Sequence, residues 1–201
     1  MKHDSDDAAG LNISIATSDA EREECCALRY RVYVEEQKRR STIADHERRL
    51  DRSADDASGV FFCARVDGVL VGTVRVHHGA TTDIPPFIRR TCMLPETDPL
   101  PTVAAIGKLA VDPAHRGANA IVMLLRACMS WLMADGRVTQ QVFIVAFDIP
   151  RLIALYRLLG FRPVEPMTSH MSEIGPVVPM TYTLGSRQPG TVSVSPVVSG
   201  P

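Results

Sequence analysis

One segment limits the possible folds more than any other. Residues 117–134 read GANAIVMLLRACMSWLMA, in which only Asn119, Arg126 and Ser130 are polar. Those three fall near one side of a helix, so the rest of its surface must be covered by a sheet and neighbouring elements. The flanking segments supply that cover. Residues 104–111 (AAIGKLAV) and 141–147 (QVFIVAF) are short apolar runs of the kind expected of buried strands. Asp135-Gly136 stops the helix between them. Strand, helix and strand in this order predict a mixed α/β layer around one main core.

The remaining chain adds strands and two further helices. Residues 11–17 (LNISIAT) alternate as a strand does, and Ser18 with Glu21 forms the capping-box pattern that opens a helix. Cys25, Leu28 and Val32 continue that helix at its spacing. Residues 59–66 (GVFFCARV) and 69–77 (VLVGTVRVH) flank Asp67-Gly68, the strongest short hairpin signal. Pro150 stands in the first turn of a last helix, which carries Leu152, Ile153, Leu155, Tyr156 and Leu159 and ends at Gly160. Residues 177–184 give a final strand. Segment 41–58 is charged and weakly periodic and predicts one short helix in a mobile connection. Segment 79–101, with Pro85, Pro86, Pro95, Pro99 and Pro101, suits an irregular excursion better than a packed element. Residues 1–10 are expected to be disordered, 11–185 to form the single domain, and 186–201 to be a flexible tail.

Composition narrows the function classes. With 201 residues, 45% hydrophobic content and a net charge of −1, the chain has no global attraction to nucleic acid or to an anionic membrane. No run is apolar enough to span a bilayer, and the first residues lack the apolar segment of a secretory signal, so a cytoplasmic location is expected. Cys25, Cys26, Cys63, Cys92 and Cys128 are odd in number and contain no Cys-x-x-Cys pair. They read as core residues rather than as a disulfide framework or a metal site.

The junction before the apolar helix carries the first functional signal. Leu109, Ala110 and Val111 end an apolar run, Asp112-Pro113 follows, and Arg116-Gly117 precedes the helix. A helix start leaves N–H groups unpaired and aimed at an anion, while an arginine adds charge and paired donors. Arg116, Gly117, Ala118, Asn119 and Ala120 are therefore a candidate phosphate site. Taken alone, the same residues describe a surface arginine before a turn equally well.

LAVDPAHRG, the apolar helix and LYRLLGF (155–161) together resemble the paired signature of the GNAT (Gcn5-related N-acetyltransferase) superfamily, over residues 11–184. The resemblance implies a single-domain α/β fold, with a mixed, mostly antiparallel sheet flanked by helices, and transfer from acyl-CoA or acetyl-CoA. It implies that Leu109, Ala110 and Val111 lend backbone groups to the pantetheine arm and that the following turn binds the pyrophosphate. It also implies that Tyr156 lies near the thioester sulfur. The usual loop has the form Arg/Gln-x-x-Gly-x-Gly/Ala; here Asn119 and Ile121 stand at the two small-residue positions. The phosphopantetheine of an acyl carrier protein, with one phosphate, asks less of such a loop than CoA does.

LRYRVYVEEQ (28–37), Asp51 and GTVRV (72–76) resemble the N-terminal half of acyl-homoserine-lactone synthases and N-acyl amino acid synthases, and His170 with GPVVPM (175–180) resembles the latter. Residues 31–37 fit a segment of small GNAT proteins about as well. The resemblance implies an acceptor region that includes Arg29, Tyr33 and Arg75. Lactone synthases carry Glu-x-x-Arg on the strand before the phosphate turn; Ala105 and Lys108 stand there in this chain, so that acid is absent.

Acyl transfer from a thioester to an amine needs a neutral nucleophile, a polarised carbonyl and a proton for the departing thiolate. Tyr156 is the candidate acid; its other reading is a core tyrosine with a satisfied hydroxyl. Neutralising a lysine amine at pH 7 costs about 4–5 kcal/mol, against about 1–1.5 kcal/mol for an α-amine. The missing acid therefore favours an α-amine acceptor, or a base elsewhere, for which Glu36, Asp148 and His77 are available. Arg29, Arg31 and Arg75 suit an acceptor carboxylate. Lys38, Arg39 and Arg40, with Arg48, Arg49 and Arg52, form either a solvated helix end or a dock for an acidic acyl carrier protein. The expectation is an N-acyltransferase acting on a small-molecule amine such as an amino acid, without metal or nucleic acid and compatible with a homodimer. A lactone synthase using S-adenosylmethionine and a catalytically silent acyl-thioester-binding module are the alternatives.

Overall fold

The structure, a computed structural model, describes residues 10–39, 41, 43–116, 119–134, 139–165, 170–172 and 175–184. Strand β1 (Leu11–Ile15) leads into helix α1 (Asp19–Tyr30), which continues as a π-helical turn over Arg31–Glu36. Strands β2 (Ala44–Asp45) and β3 (Leu50–Asp51) make a small separate hairpin. There follow β4 (Val60–Val66), β5 (Val69–His78), α2 (Pro86–Thr91), β6 (Val103–Val111), α3 (Ala120–Ala134), β7 (Gln141–Phe147) and α4 (Pro150–Leu158). Strands β8 (Arg162–Pro163), β9 (His170–Ser172) and β10 (Gly175–Thr183) close the chain's described part. The main sheet runs β1-β4-β5-β6-β7-β10-β8, with β9 added on β10. All its pairings are antiparallel except β6–β7, so the sheet is mixed and mostly antiparallel.

Local chemistry accounts for the elements. Ser18 accepts a hydrogen bond from the Glu21 N–H at 3.2 Å, and the Glu21 carboxylate accepts from the Ser18 N–H at 3.1 Å, which is the capping box read from sequence. Asp67 and Gly68 take φ of 50° and 80°, as a two-residue hairpin between twisted strands requires. On α3, Leu124, Leu125, Cys128 and Leu132 are buried and join Val74, Val76, Ile106 and Ile144 of the sheet in the larger core, which α4 shares through Ile153 and Tyr156. Each such leucine contributes roughly 1.5–3 kcal/mol by leaving water. The opposite face is covered by α1, through Cys25, Leu28, Val32 and Tyr33, and by α2, through Ile88. All five cysteines are free and buried, in keeping with their reading as core residues.

Two segments depart from expectation. Segment 41–58 is packed rather than mobile: Leu50, Asp51 and Asp56 are buried, the last on a 3-10 turn over Ala54–Ala57. Segment 79–101 holds α2, which begins directly after Pro85, and buries Ile84, Ile88 and Cys92 against Val103, Ala105 and Phe143. Proline at the first helical position promotes a helix there rather than preventing one. The expected disordered start (1–10) and flexible tail (186–201) lie outside the described residues, apart from Gly10.

Candidate active site

The site grows from a defect in the sheet. β6 and β7 pair in parallel from Val103–Gln141 to Ile106–Ile144, and beyond those residues both strands continue without pairing each other. A bulge in β6 explains the parting: between the Thr73–Ala110 and Arg75–Gly107 pairs, β5 has one residue, Val74, where β6 has Lys108 and Leu109. Lys108 takes φ 56°, and such an extra residue bends its strand away from its neighbour. The Asp112 N–H donates to Val71 O at 2.8 Å, so alternation turns Ala110 toward β5 and the backbone groups of Leu109 and Val111 toward the gap.

Two buried phenols, one on each face of the sheet, lie near enough for one to act on the other's ionisation. Tyr33, from α1's π-helical extension, donates its hydroxyl to Leu109 O at 2.8 Å. Tyr156, on α4, is buried, with its ring edge-on to Phe161. Burial raises the pKa of both phenols above the usual tyrosine range, and the neighbouring Tyr33 raises Tyr156 further. Both are therefore proton donors at neutral pH. The Tyr156 ring belongs to the larger core.

The turn after β6 holds the second part of the site. Arg116 makes a bidentate pair with Glu36, Nη1 to Oε1 and Nη2 to Oε2, both at 2.6 Å, and its Nε donates to Val111 O at 3.2 Å. This corrects the expectation that Glu36 serves as a free base, since its carboxylate is held by a guanidinium. Gly117 and Ala118, expected at the phosphate, lie outside the described residues. Asn119 takes φ 56°, the left-handed conformation that asparagine tolerates, and its carbonyl starts α3 by accepting from the Met123 N–H. Ala120 is buried in the core with Ile121 packed against it, so their side chains serve α3's anchoring. A shallow recess of about 340 Å3, lined by Arg31, Val32, Glu35, Glu36, Asp112 and Pro113, adjoins the turn. Arg31 therefore stands beside the turn after β6, apart from the buried Arg29 and Arg75.

Arg29, Arg75 and His77 do not stand where the sequence reading placed them. Arg29, fully buried, donates to Asp56 Oδ1 at 2.9 Å and Oδ2 at 2.6 Å and to the Asp51 carbonyl. Arg75 donates to Asp56 Oδ1 at 2.5 Å and to Ser53 Oγ at 2.8 Å. Both guanidiniums are consumed by the fold and do not present themselves to an acceptor, because a buried cation must be paired. Burial opposes ionisation of Asp56, yet the hydrogen bonds and charge of Arg29, and then Arg75, hold its carboxyl well below the usual range. His77 is buried, and a Cβ on Gly59 would lie 3.1 Å from its Nε2, so the ring faces the β4 side of β5, away from the gap. Burial first, and then Arg75, lowers its pKa to about 4. Asp148 follows β7, exposed, with its N–H donating to Pro176 O at 3.0 Å.

Residues the sequence did not single out complete the site. Lys108, at the bulge, donates to Asp51 Oδ1 at 3.0 Å, and burial lowers its pKa. Arg39 lies over the ring of Tyr33, 4.7 Å from its centroid, and over that of Phe147, 3.5 Å from its centroid. It thereby spans the parted ends of β6 and β7. Lys38, with φ 54°, reverses the chain, and the Arg39 N–H donates to Tyr33 O at 2.9 Å, which lays the side chain across that ring. Sequence gave only a basic run here; the positive φ that folds it back carried no residue signature. Among the described residues no group of acids, histidines or cysteines could hold a metal ion, and no helix is long and apolar enough to cross a membrane.

Comparison with known proteins gives a consistent picture. The structure of FeeM, an N-acyl amino acid synthase from uncultured soil microbes, superposes with a TM-score of 0.61 at 17% identity, covering 88% of this chain and 92% of that one. BjaI, a CoA-dependent acyl-homoserine lactone synthase solved with SAM and isopentyl-CoA, gives 0.64 at 18% identity, over 87% and 83% of the two chains. An acetyltransferase of the GNAT family from Streptococcus pneumoniae gives 0.58 at 16% identity, over 87% and 99%. These likenesses establish the fold. No curated protein matches the sequence. The model of the family N-acyl amino acid synthase FeeM matches residues 24–183, from the middle of α1 to the end of β10 and therefore across the whole gap. On that match the chain belongs to the N-acyl amino acid synthase FeeM family and is an N-acyltransferase.

Proposed function

We propose that the protein moves an acyl group from a thioester of the coenzyme A type, or from the same arm on a carrier protein, to the amine of an amino acid. What supports this reading is the hydrogen bond from Tyr33 to Leu109 O beside the parted strands, with Tyr156 buried on α4 within reach of the Tyr33 field. The pantetheine arm lies along β6, where the Leu109 and Val111 N–H groups face it. Arg116 meets a phosphate of the donor after releasing Glu36. The neutral amine attacks the carbonyl carbon, the N–C bond forms, the C–S bond breaks, Tyr156 gives its proton to the sulfur, and the surplus proton of the amine nitrogen returns to the Tyr156 phenolate. An α-amine is less basic than a lysine side chain and loses its proton at lower cost, which eases the chemistry where Ala105 stands in place of a carboxylate.

The test is acceptor-dependent thiol release from acyl-CoA of increasing chain length, and from the same acyl groups on carrier protein, with each standard amino acid as acceptor. Mass spectrometry identifies the N-acyl product. Thiol release that no amine accelerates, with either donor, would refute the reading.

A further inference from the structure

Arg39 differs from most of the arginines around it in having no anion of its own, and from the exposed Arg31 in being half-buried against two rings. Arg29 and Arg75 hold Asp56, Arg49 reaches Glu35, Arg65 reaches Glu24, and Arg116 holds Glu36. Arg39 makes no ion pair with a carboxylate among the described residues, and its side-chain N–H groups have no acceptor there; two rings hold it instead. The carboxylates whose field reaches it are Asp51 and Glu36. Asp51 is committed to Arg29 and Lys108, and Glu36 to Arg116. A half-buried guanidinium fixed by aromatic rings, with its donors unspent, is a ready bidentate site for a carboxylate or phosphate. Burial pulls its pKa below the usual arginine value, as expected of a cation short of compensation.

Its position selects between those anions. Arg39 spans the mouth of the gap, between Tyr33, bound to the strand assigned to the donor arm, and Phe147 at the end of β7. An anion held there is close to the reacting centre, whereas the donor's phosphate belongs at Arg116, on the turn after β6. We infer that Arg39 binds the carboxylate of the acceptor and so selects amines that carry an acid group over the same amines without one. This rests on the acyltransferase reading, and it gives Arg39 the role the sequence assigned to Arg29, Arg31 and Arg75.

The test compares acceptor pairs that differ only at this group, each amino acid against its carboxamide, with decanoyl-CoA as donor. Arg39→Met preserves a flexible apolar stem for the two rings while removing the charge, and Arg39→Lys keeps the charge without the fork. The ratio of kcat/KM for acid to that for amide cancels differences in amine basicity between variants. In Arg39→Met that ratio falls about 10- to 100-fold, the loss lying in KM for the acid. Transfer to the amide falls less than transfer to the acid, circular dichroism and the melting curve show that the variant is folded, and Arg39→Lys is intermediate. An unchanged ratio, an equal loss for acid and amide, or a rise in donor KM in place of acceptor KM would overturn the assignment. Calorimetric titration with N-decanoylglycine and N-decanoylglycinamide reads the same preference without turnover. If the original protein releases no thiol with any acceptor, the acyltransferase reading fails. Arg39 is then judged on this titration: tighter binding of the acid, lost in Arg39→Met, upholds its role, and equal binding of acid and amide ends it.

Discussion

Glu36 occupies the guanidinium proposed to receive the donor's phosphate, and replacing it tests that competition. The pair is bidentate with both contacts at 2.6 Å, and its side chains are 38% and 34% exposed for Arg116 and Glu36. Partly exposed pairs are worth about 0–1 kcal/mol, and forked geometry places this one near the upper end. A phosphate that displaces the carboxylate gives up that energy, so Glu36→Gln should tighten CoA binding by about 3- to 5-fold. Isothermal calorimetry with CoA reads the change directly. The gain shrinks as salt rises, because the competing pair is itself screened. Thermal stability should fall by no more than about 2–4 °C, the equivalent of ~1 kcal/mol for a domain of this size. At saturating substrate kcat should not change. Weaker or unaltered CoA binding would refute the competition, and a collapse of kcat would return Glu36 to the chemistry as a base.

Other outcomes follow from the same geometry. Tyr156→Phe should lower kcat about 100-fold with little change in KM, and because burial raises the phenol's pKa, the original enzyme should show no loss of rate from this group up to about pH 10. Asp56→Asn leaves Arg29 and Arg75 short of their shared anion and should cost about 3–5 kcal/mol in denaturant unfolding; a loss under 1 kcal/mol would mean that the buried network adds nothing. His77 titrates near 4 in the folded chain and about 6.5 unfolded, so the unfolded state binds more protons between those values. Stability should therefore fall by up to about 3 kcal/mol as pH drops from 6.5 to 4, and His77→Gln should flatten that window in urea titrations. A Cβ on Gly79 would lie 1.8 Å from Leu100 O, so Gly79→Ala should lower the melting temperature markedly, and an unaltered melting curve would contradict the close approach.

What sequence could and could not reveal divides along the range of the interactions. Asp67-Gly68, Ser18 with Glu21, and the apolar helix are decided by neighbours within a few residues, and each takes its expected form. Segment 41–58 looked solvated because its charges are obvious in sequence while their partners are not: Asp51 and Asp56 lie 22 and 27 residues from Arg29. The same blindness made Arg29 and Arg75 look available to a substrate. Residue type showed a carboxylate binder, and only the fold showed that its own carboxylates had taken the place. Tyr156 drew notice through the LYRLLGF resemblance, and its burial on α4 is what an apolar position on a helix after a buried strand predicts. Arg39 was not, since its direction depends on one left-handed residue before it.

The wide winding over Arg31–Glu36 has a consequence for how such a chain can diversify. An ordinary helix advances about 100° per residue, and here Gln37 closes a larger loop by donating to Val32 O, five positions back, at 3.1 Å. That surplus residue offsets the phase of everything after it from the half anchored by Cys25 and Leu28. Deleting or adding a single residue in this stretch would swing Glu36 and Arg39 to new bearings while the anchored half kept its seat. Selectivity can thus drift by small insertions placed after Tyr33, beyond the core contacts that Val32 and Tyr33 make.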